Sequence, residues 1–262
     1  MITNLIIFGL LVSSALANNR RIVGGSSADI KYYPYQVSLQ TLNPGGVTHI
    51  CGGAILSPEW VLTSANCFAF LPTSKLEHFR VVAGSTSLAD AAFSGQTVRM
   101  AGLESLHIHP TYSLKNAHND IAVFKVSPPF KFNKLVYSIG LPENNENATG
   151  KAIVSGWGSD NSEISLPVDR LRCAVQEVVG VDECSIEYRG MFNDEGHICT
   201  QPPTDGKCPY GTLCFQDGGS PLTQKNKIIG IGSIGDCRSK YKVYTKVSHY
   251  VDSFIKKYVT DL

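Results

Sequence analysis

Short stretches of alternating polar and apolar residues recur along most of the chain, with turn residues between them. Residues 36–40 (Q-V-S-L-Q) alternate strictly, which predicts a strand with one buried face. Other segments of four to six residues are too short to predict helices and favour strands instead. These segments are 51–56, 60–63, 80–83, 97–100, 121–126, 152–155, 174–179, 228–231 and 242–246.

The C-terminus has a different periodicity. Apolar residues at 247, 251, 254, 255, 258 and 259 recur at helical spacing, and Ser248 is suited to cap their N-terminus. A helix is therefore predicted over about residues 248–260. The chain shows no internal repeat and no low-complexity tract. Many short strands and one final helix predict an all-β fold of two packed barrels, with a seam near residues 127–143.

The composition narrows the class of protein. With 43% apolar residues among 262, the chain can bury a sizeable core, which excludes general disorder. A formal net charge of +1 gives no bulk electrostatic attraction to nucleic acid or to an anionic membrane. The 24 Gly and 13 Pro fit a β protein rich in turns. Eight Cys without a C-x-x-C pair indicate disulfides and an oxidising compartment.

The first residues predict secretion. Residues 5–17 form an apolar stretch that is shorter than the roughly 20 residues needed to cross a bilayer. It ends in A-L-A, the small-x-small pattern of a signal-peptidase site, although residues 1–4 carry no Lys or Arg. We therefore predict a signal peptide over 1–17, a propeptide over 18–21 and a secreted, extracellular protein without membrane insertion. Asn147-Ala148-Thr149 is a sequon in a polar stretch, which makes Asn147 a candidate for glycosylation.

Several motifs occur in the order found in chymotrypsin-fold serine proteases. Residues 21–25 (R-I-V-G-G) resemble the activation site of that family, 62–67 (L-T-S-A-N-C) its L-T-A-A-H-C motif, and 119–122 its N-D-I-A motif. Residues 214–221 (C-F-Q-D-G-G-S-P) have the length of its C-x-G-D-S-G-G-P motif. Two further blocks, 155–158 (S-G-W-G) and 243–247 (V-Y-T-K-V), extend a resemblance that covers residues 22–262. It implies two six-stranded antiparallel β-barrels, over about 30–130 and 135–246, with the active cleft between them.

The same resemblance implies that two of the three catalytic positions are degenerate. The mechanism needs a hydroxyl nucleophile, an imidazole base and a carboxylate that orients the base. Asn66 stands at the position of the imidazole, and its amide does not titrate near neutral pH. Asp120 keeps the carboxylate, whereas Gly218 stands where the nucleophilic Ser belongs. We therefore predict an inactive serine protease homologue rather than an enzyme.

A relocated catalytic group is the alternative. Ser220 is the next hydroxyl in the motif, but two residues displace its Cα by up to roughly 7 Å, whereas a nucleophile must come within about 3 Å of its base. His118 is the His nearest to Asp120 in sequence, and a solvated loop is the plainer interpretation for it. An active trypsin-like endopeptidase with a non-standard catalytic site stays open as the second hypothesis.

The substrate-binding positions also depart from the family. Gln216 replaces the Gly whose main-chain N–H helps to form the oxyanion hole, and a side chain there is expected to turn that N–H away. The resemblance places Ile234 at the mouth of the specificity pocket, Lys242 on its opposite wall and Thr212 at its floor. Long side chains at 234 and 242 predict an occluded pocket. These changes fit either neutral drift after a loss of activity or a surface rebuilt for another partner.

Other positions keep the structural roles that the resemblance implies. Cleavage after Arg21 is expected to free Ile22, whose ammonium would pair with Asp217. Asp120 needs hydrogen-bond donors in place of the imidazole, and the Asn66 amide is a candidate. The loop over residues 84–95, which holds calcium in trypsins, offers a single carboxylate here, so neither a metal nor a cofactor is predicted.

The eight cysteines agree with the resemblance. It implies the disulfides Cys51–Cys67, Cys184–Cys199 and Cys214–Cys237. Cys173 and Cys208 remain, and by elimination we predict a bridge between them that is not a standard feature of the family.

A narrower similarity suggests how an inactive homologue would act. The chain is similar to the trypsin-like digestive proteases known as mite group 3 allergens, and more so to the inactivated serine protease paralogues of the scabies mite. That similarity rests on residues 34–40, residues 165–167 (S-L-P) and the two triad losses. It implies a monomeric, allergen-like pseudoprotease that binds host defence proteins, notably complement. A decoy that binds protease substrates or inhibitors through the old cleft is a third hypothesis.

One segment beside the cleft is a candidate binding surface. Residues 238–242 (R-S-K-Y-K) combine Arg and Tyr, both of which are favoured in interface hot spots. A solvated loop is the plainer interpretation of this segment.

Overall fold

The computed structural model describes residues 25–43, 46–69, 71–72, 76, 79–159, 166–204, 213–214, 216–235 and 237–262. The predicted signal peptide and propeptide therefore lie outside the described residues, together with Arg21, Ile22, Cys208 and Thr212. No helix within the described ranges is long and apolar enough to cross a membrane.

Alternation along the strands builds the first barrel. Val37 and Leu39 point into its core, while Ser38 and Gln40 of the same strand lie on the other face. Six strands close into a ring in the order β4-β3-β2-β5-β6-β8, with β8 returning to β4, and β7 adds to the edge of β8. After a short β1 (Ser26–Ser27), these strands are β2 (Gln36–Asn43), β3 (Gly46–Ile55), β4 (Trp60–Thr63), β5 (Phe79–Ala83), β6 (Gln96–Met100), β7 (Leu106–Ile108) and β8 (Ala122–Ser127).

The second barrel closes in the same way. Its ring runs β9-β10-β11-β14-β13-β12 and returns to β9, and β1 joins it by pairing Ser26 with Cys173 of β10. Its strands are β9 (Gly150–Gly156), β10 (Arg172–Val178), β11 (His197–Gln201), β12 (Pro221–Gln224), β13 (Lys227–Ile234) and β14 (Lys242–Lys246). The predicted pair of six-stranded antiparallel barrels is confirmed.

Helices are few and short. They are α1 (Asn66–Ala69), α2 (Ala91–Ser94), α3 (Val181–Glu187) and α4, which runs from Val247–Tyr250 through a π-helical segment at Val251–Ile255 to Lys256–Tyr258. The C-terminal helix was predicted, but Ser248 does not cap it. Ser248 lies inside the first turn, and its hydroxyl donates to the carbonyl of Glu146 at 2.7 Å. The α3 helix was not predicted; in the structure its Val181 and Ile186 are exposed and Cys184 is its buried residue.

One apolar cluster joins the two barrels. It combines Leu62 and Val123 of the first barrel with Ile228 and Ile231 of the second, and Phe254 of α4 packs against them. All five side chains are at most 2% exposed. Burial at this seam holds the two barrels, and hence the loops between them, in one arrangement.

Three of the four predicted disulfides join described residues and are confirmed. The disulfides Cys51–Cys67, Cys184–Cys199 and Cys214–Cys237 are present. Cys173 is free of any disulfide to a described residue and packs beside the apolar cluster of Trp157 and Leu171. Cys208, its predicted partner, lies outside the described residues, so disulfide mapping is the test of that pairing.

Candidate active site

The three predicted triad positions lie close together where the two barrels face each other. Asn66 begins α1 directly before Cys67, and Asp120 immediately precedes the run into β8. The carbonyl of Gly218 accepts from the N–H of Gly52 at 2.9 Å. A Cβ placed on Gly218 would lie 3.5 Å from the Sγ of Cys51 and 4.0 Å from that of Cys67. The Cys51–Cys67 disulfide is thus the common floor beneath positions 66 and 218.

The carboxylate of Asp120 is fully buried and already supplied with donors. Its Oδ1 accepts from the Ser64 hydroxyl at 2.7 Å and from the main-chain N–H of Asn66 at 2.8 Å. Its Oδ2 accepts from the Ser233 hydroxyl at 2.6 Å. Burial raises the pKa of Asp120, and the bonds from Ser233 and Ser64 partly offset that rise. The donor from residue 66 is the main chain, not the side-chain amide that the sequence suggested.

The Asn66 side chain lies on the surface instead. It is exposed, and its Oδ1 accepts from the hydroxyl of Tyr112 at 3.5 Å. An amide in this place has no basic nitrogen, so it cannot take a proton from a nucleophile. Gly218 offers no nucleophile beside it. Asn66 can form hydrogen bonds and Gly218 leaves room beside the disulfide, but neither residue has a side chain that can act in acid–base catalysis.

The two alternative groups named from the sequence are placed apart from this site. The Ser220 side chain is fully buried between Gly52 and Gly156, where its Oγ has no hydrogen-bond partner among the described residues. The Nδ1 of His118 is bonded to the amide of Asn116 at 3.1 Å, and its ring lies 5.8 Å from that of His197. Neither Ser220 nor His118 contacts the carboxylate of Asp120.

A serine–histidine pair does occur, behind the cleft rather than in it. The Ser38 hydroxyl lies 2.8 Å from Nδ1 of His49, and Nε2 of His49 lies 3.2 Å from the carbonyl of Gln216. Ser38 and His49 are 1% and 3% exposed, so a substrate cannot reach them. Burial lowers the pKa of His49 to about 4, which keeps the ring neutral at physiological pH. Sequence reasoning missed this pair, because the two residues are joined only by the pairing of β2 with β3.

The oxyanion position keeps the backbone conformation that favours glycine. Gln216 has a φ of 69°, in the left-handed region where a residue with a side chain is strained by roughly 1–2 kcal/mol. The hydrogen bond from His49 to the Gln216 carbonyl helps to hold it there. The orientation of its N–H toward a substrate stays a prediction.

The pocket positions contain a buried lysine. Lys242 is 0% exposed, its ammonium donates to the carbonyl of Ser239, and its side chain lies against Gly235. The sequence had suggested that Lys242 belongs to an exposed basic segment with Arg238 and Lys240. The structure shows that it does not, because Lys242 is buried while the other two are exposed. Ile234 is half-buried and packs onto the cluster around the Cys184–Cys199 disulfide, with Tyr188 and Tyr241 beside it.

Asp217 is a second buried carboxylate. Its oxygens accept from the N–H groups of Gly158 and Cys214, both at 2.9 Å. Burial raises the pKa of Asp217 to about 7, which the two N–H bonds only partly offset. A cation at this carboxylate would lower that pKa, and Ile22 is the predicted source of one.

The predicted glycosylation site lies on the protein surface. Asn147 is exposed, and its Oδ1 accepts from the ammonium of Lys246 at 2.6 Å. Within the part of the chain that the structure describes, no group of three or more His, Cys, Asp or Glu is placed to hold a metal ion.

Comparison with known proteins assigns the family. The model of the family described as Trypsin matches residues 22–254. The chain belongs to the trypsin family. It is similar to the anionic trypsin of Bos taurus, with 32% identity over 250 residues that cover 93% of this chain and 92% of that protein. It is also similar to trypsin I-P1 of Gallus gallus, at 34% identity over 90% and 88% of the two chains, and to trypsin-1 of Astacus astacus, at 31% over 88% and 97%.

Proposed function

We propose that this trypsin-family protein is secreted, has no peptidase activity and acts by binding a protein partner. The observation that carries the proposal is the pair of residues at the triad positions, Asn66 and Gly218, which supply neither a base nor a nucleophile. Replacing either of these groups in a working serine protease costs about 10⁶ in kcat. A protein that lacks both the imidazole base and the hydroxyl nucleophile cannot use the serine-protease mechanism at all.

Two features of the surroundings support the same conclusion. Asp120 keeps three hydrogen-bond donors without any imidazole, so the site is stable in its inactive form. Lys242 is buried where the specificity pocket is expected, which leaves less room for a substrate side chain.

For the partner, we propose host defence proteins, with components of complement as the first to test. The support is the resemblance to the inactivated scabies-mite paralogues described above. We further propose that the protein acts as a monomer and without a cofactor.

The test of inactivity uses the chain before and after cleavage at Arg21. A serine-reactive fluorophosphonate and peptide and ester substrates are applied to wild type and to Ser220→Ala. We expect no labelling and no turnover by either form, because no base activates a hydroxyl at the cleft. Labelling or turnover that disappears in Ser220→Ala would contradict the proposal.

The test of binding is capture from host plasma. Arg238→Glu/Lys240→Glu reverses two exposed charges beside the cleft and leaves the buried Lys242 untouched. Lys115→Glu/Lys134→Glu, also exposed, is the matched control with the same change of charge. Specific capture of a complement component by wild type supports the proposal, and loss of capture only with the first pair would place the contact beside the cleft.

A further inference from the structure

Four polar residues form a row across the outside of the first barrel. His49 of β3 lies opposite Gln40 of β2, Gln40 lies opposite Arg80 of β5, and Arg80 lies opposite Arg99 of β6. Residues opposite one another in antiparallel strands have their side chains on the same face of the sheet. The row therefore runs outward from the Gln216 carbonyl, which His49 contacts, to an exposed arginine at its far end.

Hydrogen bonds hold the inner part of this row in place. The Nε of Arg80 donates to the Oε1 of Gln40 at 2.7 Å, and the amide of Gln40 donates to the Ser38 hydroxyl at 2.9 Å. Ser38 in turn is bonded to His49. This arrangement uses one of the five N–H groups of the Arg80 guanidinium and fixes its position.

The two arginines at the outer end lack an anionic partner. Neither Arg80 nor Arg99 forms an ion pair with a carboxylate among the described residues. Like charges directly opposite in a sheet destabilise it, and the pKa of Arg80 is lowered by burial and by the charge of Arg99. An anion that contacts both guanidinium groups would remove this repulsion.

A groove of about 630 Å³ begins at Arg80. Its apolar side includes Val47 and Leu166, which are 44% and 65% exposed, with Leu88 and Pro167 between them. Its acidic residue, Asp169, has an Oδ1 that already accepts from the Ser87 hydroxyl at 2.9 Å and the N–H of Ala89 at 2.8 Å. The groove thus has a cationic end and an exposed apolar wall.

We propose that this groove binds an extended acidic segment of a partner protein, with a carboxylate on Arg80 and Arg99 and an apolar side chain against Val47 and Leu166. Arg favours carboxylates because its planar guanidinium bonds them in bidentate fashion. A peptide fits better than a sulfated polysaccharide, since a polysaccharide has no apolar side chain to bury on the wall. The proposal deepens the binding role proposed above and rests on it for the existence of a protein partner.

The test is selection of binders from a yeast-displayed library of random peptides of about 12 residues, with the full secreted chain as bait. Enriched peptides are then titrated against wild type, Arg80→Gln/Arg99→Gln and the control Lys115→Gln/Lys134→Gln, which loses the same charge elsewhere. We expect enrichment of Asp and Glu next to large apolar residues. We also expect a Kd weakened about tenfold or more by the arginine pair and less than about twofold by the control.

Arg99→Gln alone guards against a folding artefact, because the Arg99 side chain is exposed and makes no hydrogen bond among the described residues. It should not lower the temperature of thermal unfolding, since it removes the repulsion with Arg80, and it should still weaken binding about threefold or more. Binding should also weaken between about 50 and 300 mM NaCl.

The proposal is wrong if no peptides are enriched, if the enriched peptides are not acidic, or if both arginine variants bind them like wild type. It is equally wrong if a heparin fragment binds through Arg80 and Arg99 while acidic peptides do not. Turnover by the same preparation would refute the inactive assignment and leave the peptide result standing, so the two failures are distinguishable.

Discussion

Rebuilding the catalytic pair is the most direct test of the proposed inactivity. The perturbation is Asn66→His with Gly218→Ser, made singly and together. The backbone at Gly218 does not have the left-handed φ of its neighbour Gly219. An added Cβ would meet the Cys51 and Cys67 sulfurs at ordinary contact distances of 3.5 and 4.0 Å. The serine should therefore change the free energy of unfolding by less than about 1 kcal/mol.

The expected gain follows from how triad residues depend on each other. Removing Ser or His alone from a serine protease costs about as much as removing the whole triad, near 10⁶ in kcat. Either single variant should therefore stay as inactive as wild type, because a hydroxyl without a base, or a base without a hydroxyl, does nothing. The double variant recovers part of that factor, because the main-chain N–H of Asn66 and the hydroxyls of Ser64 and Ser233 already fix Asp120.

The assay is time-dependent labelling by a small fluorophosphonate, with hydrolysis of an activated ester as the second readout. Both probes need little from the specificity pocket, so the buried Lys242 should not prevent the reaction. Labelling of the double variant and of neither single variant is the expected result. If wild type is labelled as fast as the double variant, the reasoning is refuted, because catalytic groups must then exist elsewhere in the protein.

The remaining predictions concern buried charge. The pKa of Asp217, about 7 against an ordinary 3.8, means that the folded state favours its protonated form. The uncleaved chain should therefore lose about 3 kcal/mol of stability as the pH rises from about 4 to 7, and Asp217→Asn should flatten this dependence in urea titrations. Asp120→Asn should destabilise the fold by about 2–4 kcal/mol, because buried donors then face an NH₂ group, and thermal unfolding without such a loss would contradict the hydrogen bonding described. Lys242→Met removes the bond to Ser239 but keeps the stem, so chemical denaturation should show a loss of about 1–3 kcal/mol.

The sequence by itself predicted the fold, which is confirmed, and the loss of two catalytic groups, which stays a prediction. Strict alternation over residues 36–40 predicts a strand with one buried face; the segment does form a strand, but both of its faces are buried. A missing imidazole or hydroxyl is a property of the residue at a position, so it is visible once the motif is aligned. Short elements such as β7 and β12 were not predicted, because three or four residues carry too little periodicity.

Only the tertiary structure decided what surrounds those positions. The sequence placed Lys242 both on the wall of the specificity pocket and in the basic segment 238–242, and closure of the second barrel buries it completely. The donors to Asp120 come from Ser64, Asn66 and Ser233, and Ser233 stands 113 residues away in the chain. The row from His49 to Arg99 exists because four strands pair in one particular register. Register and closure depend on contacts between distant segments, and those contacts leave no mark in any local pattern of residues.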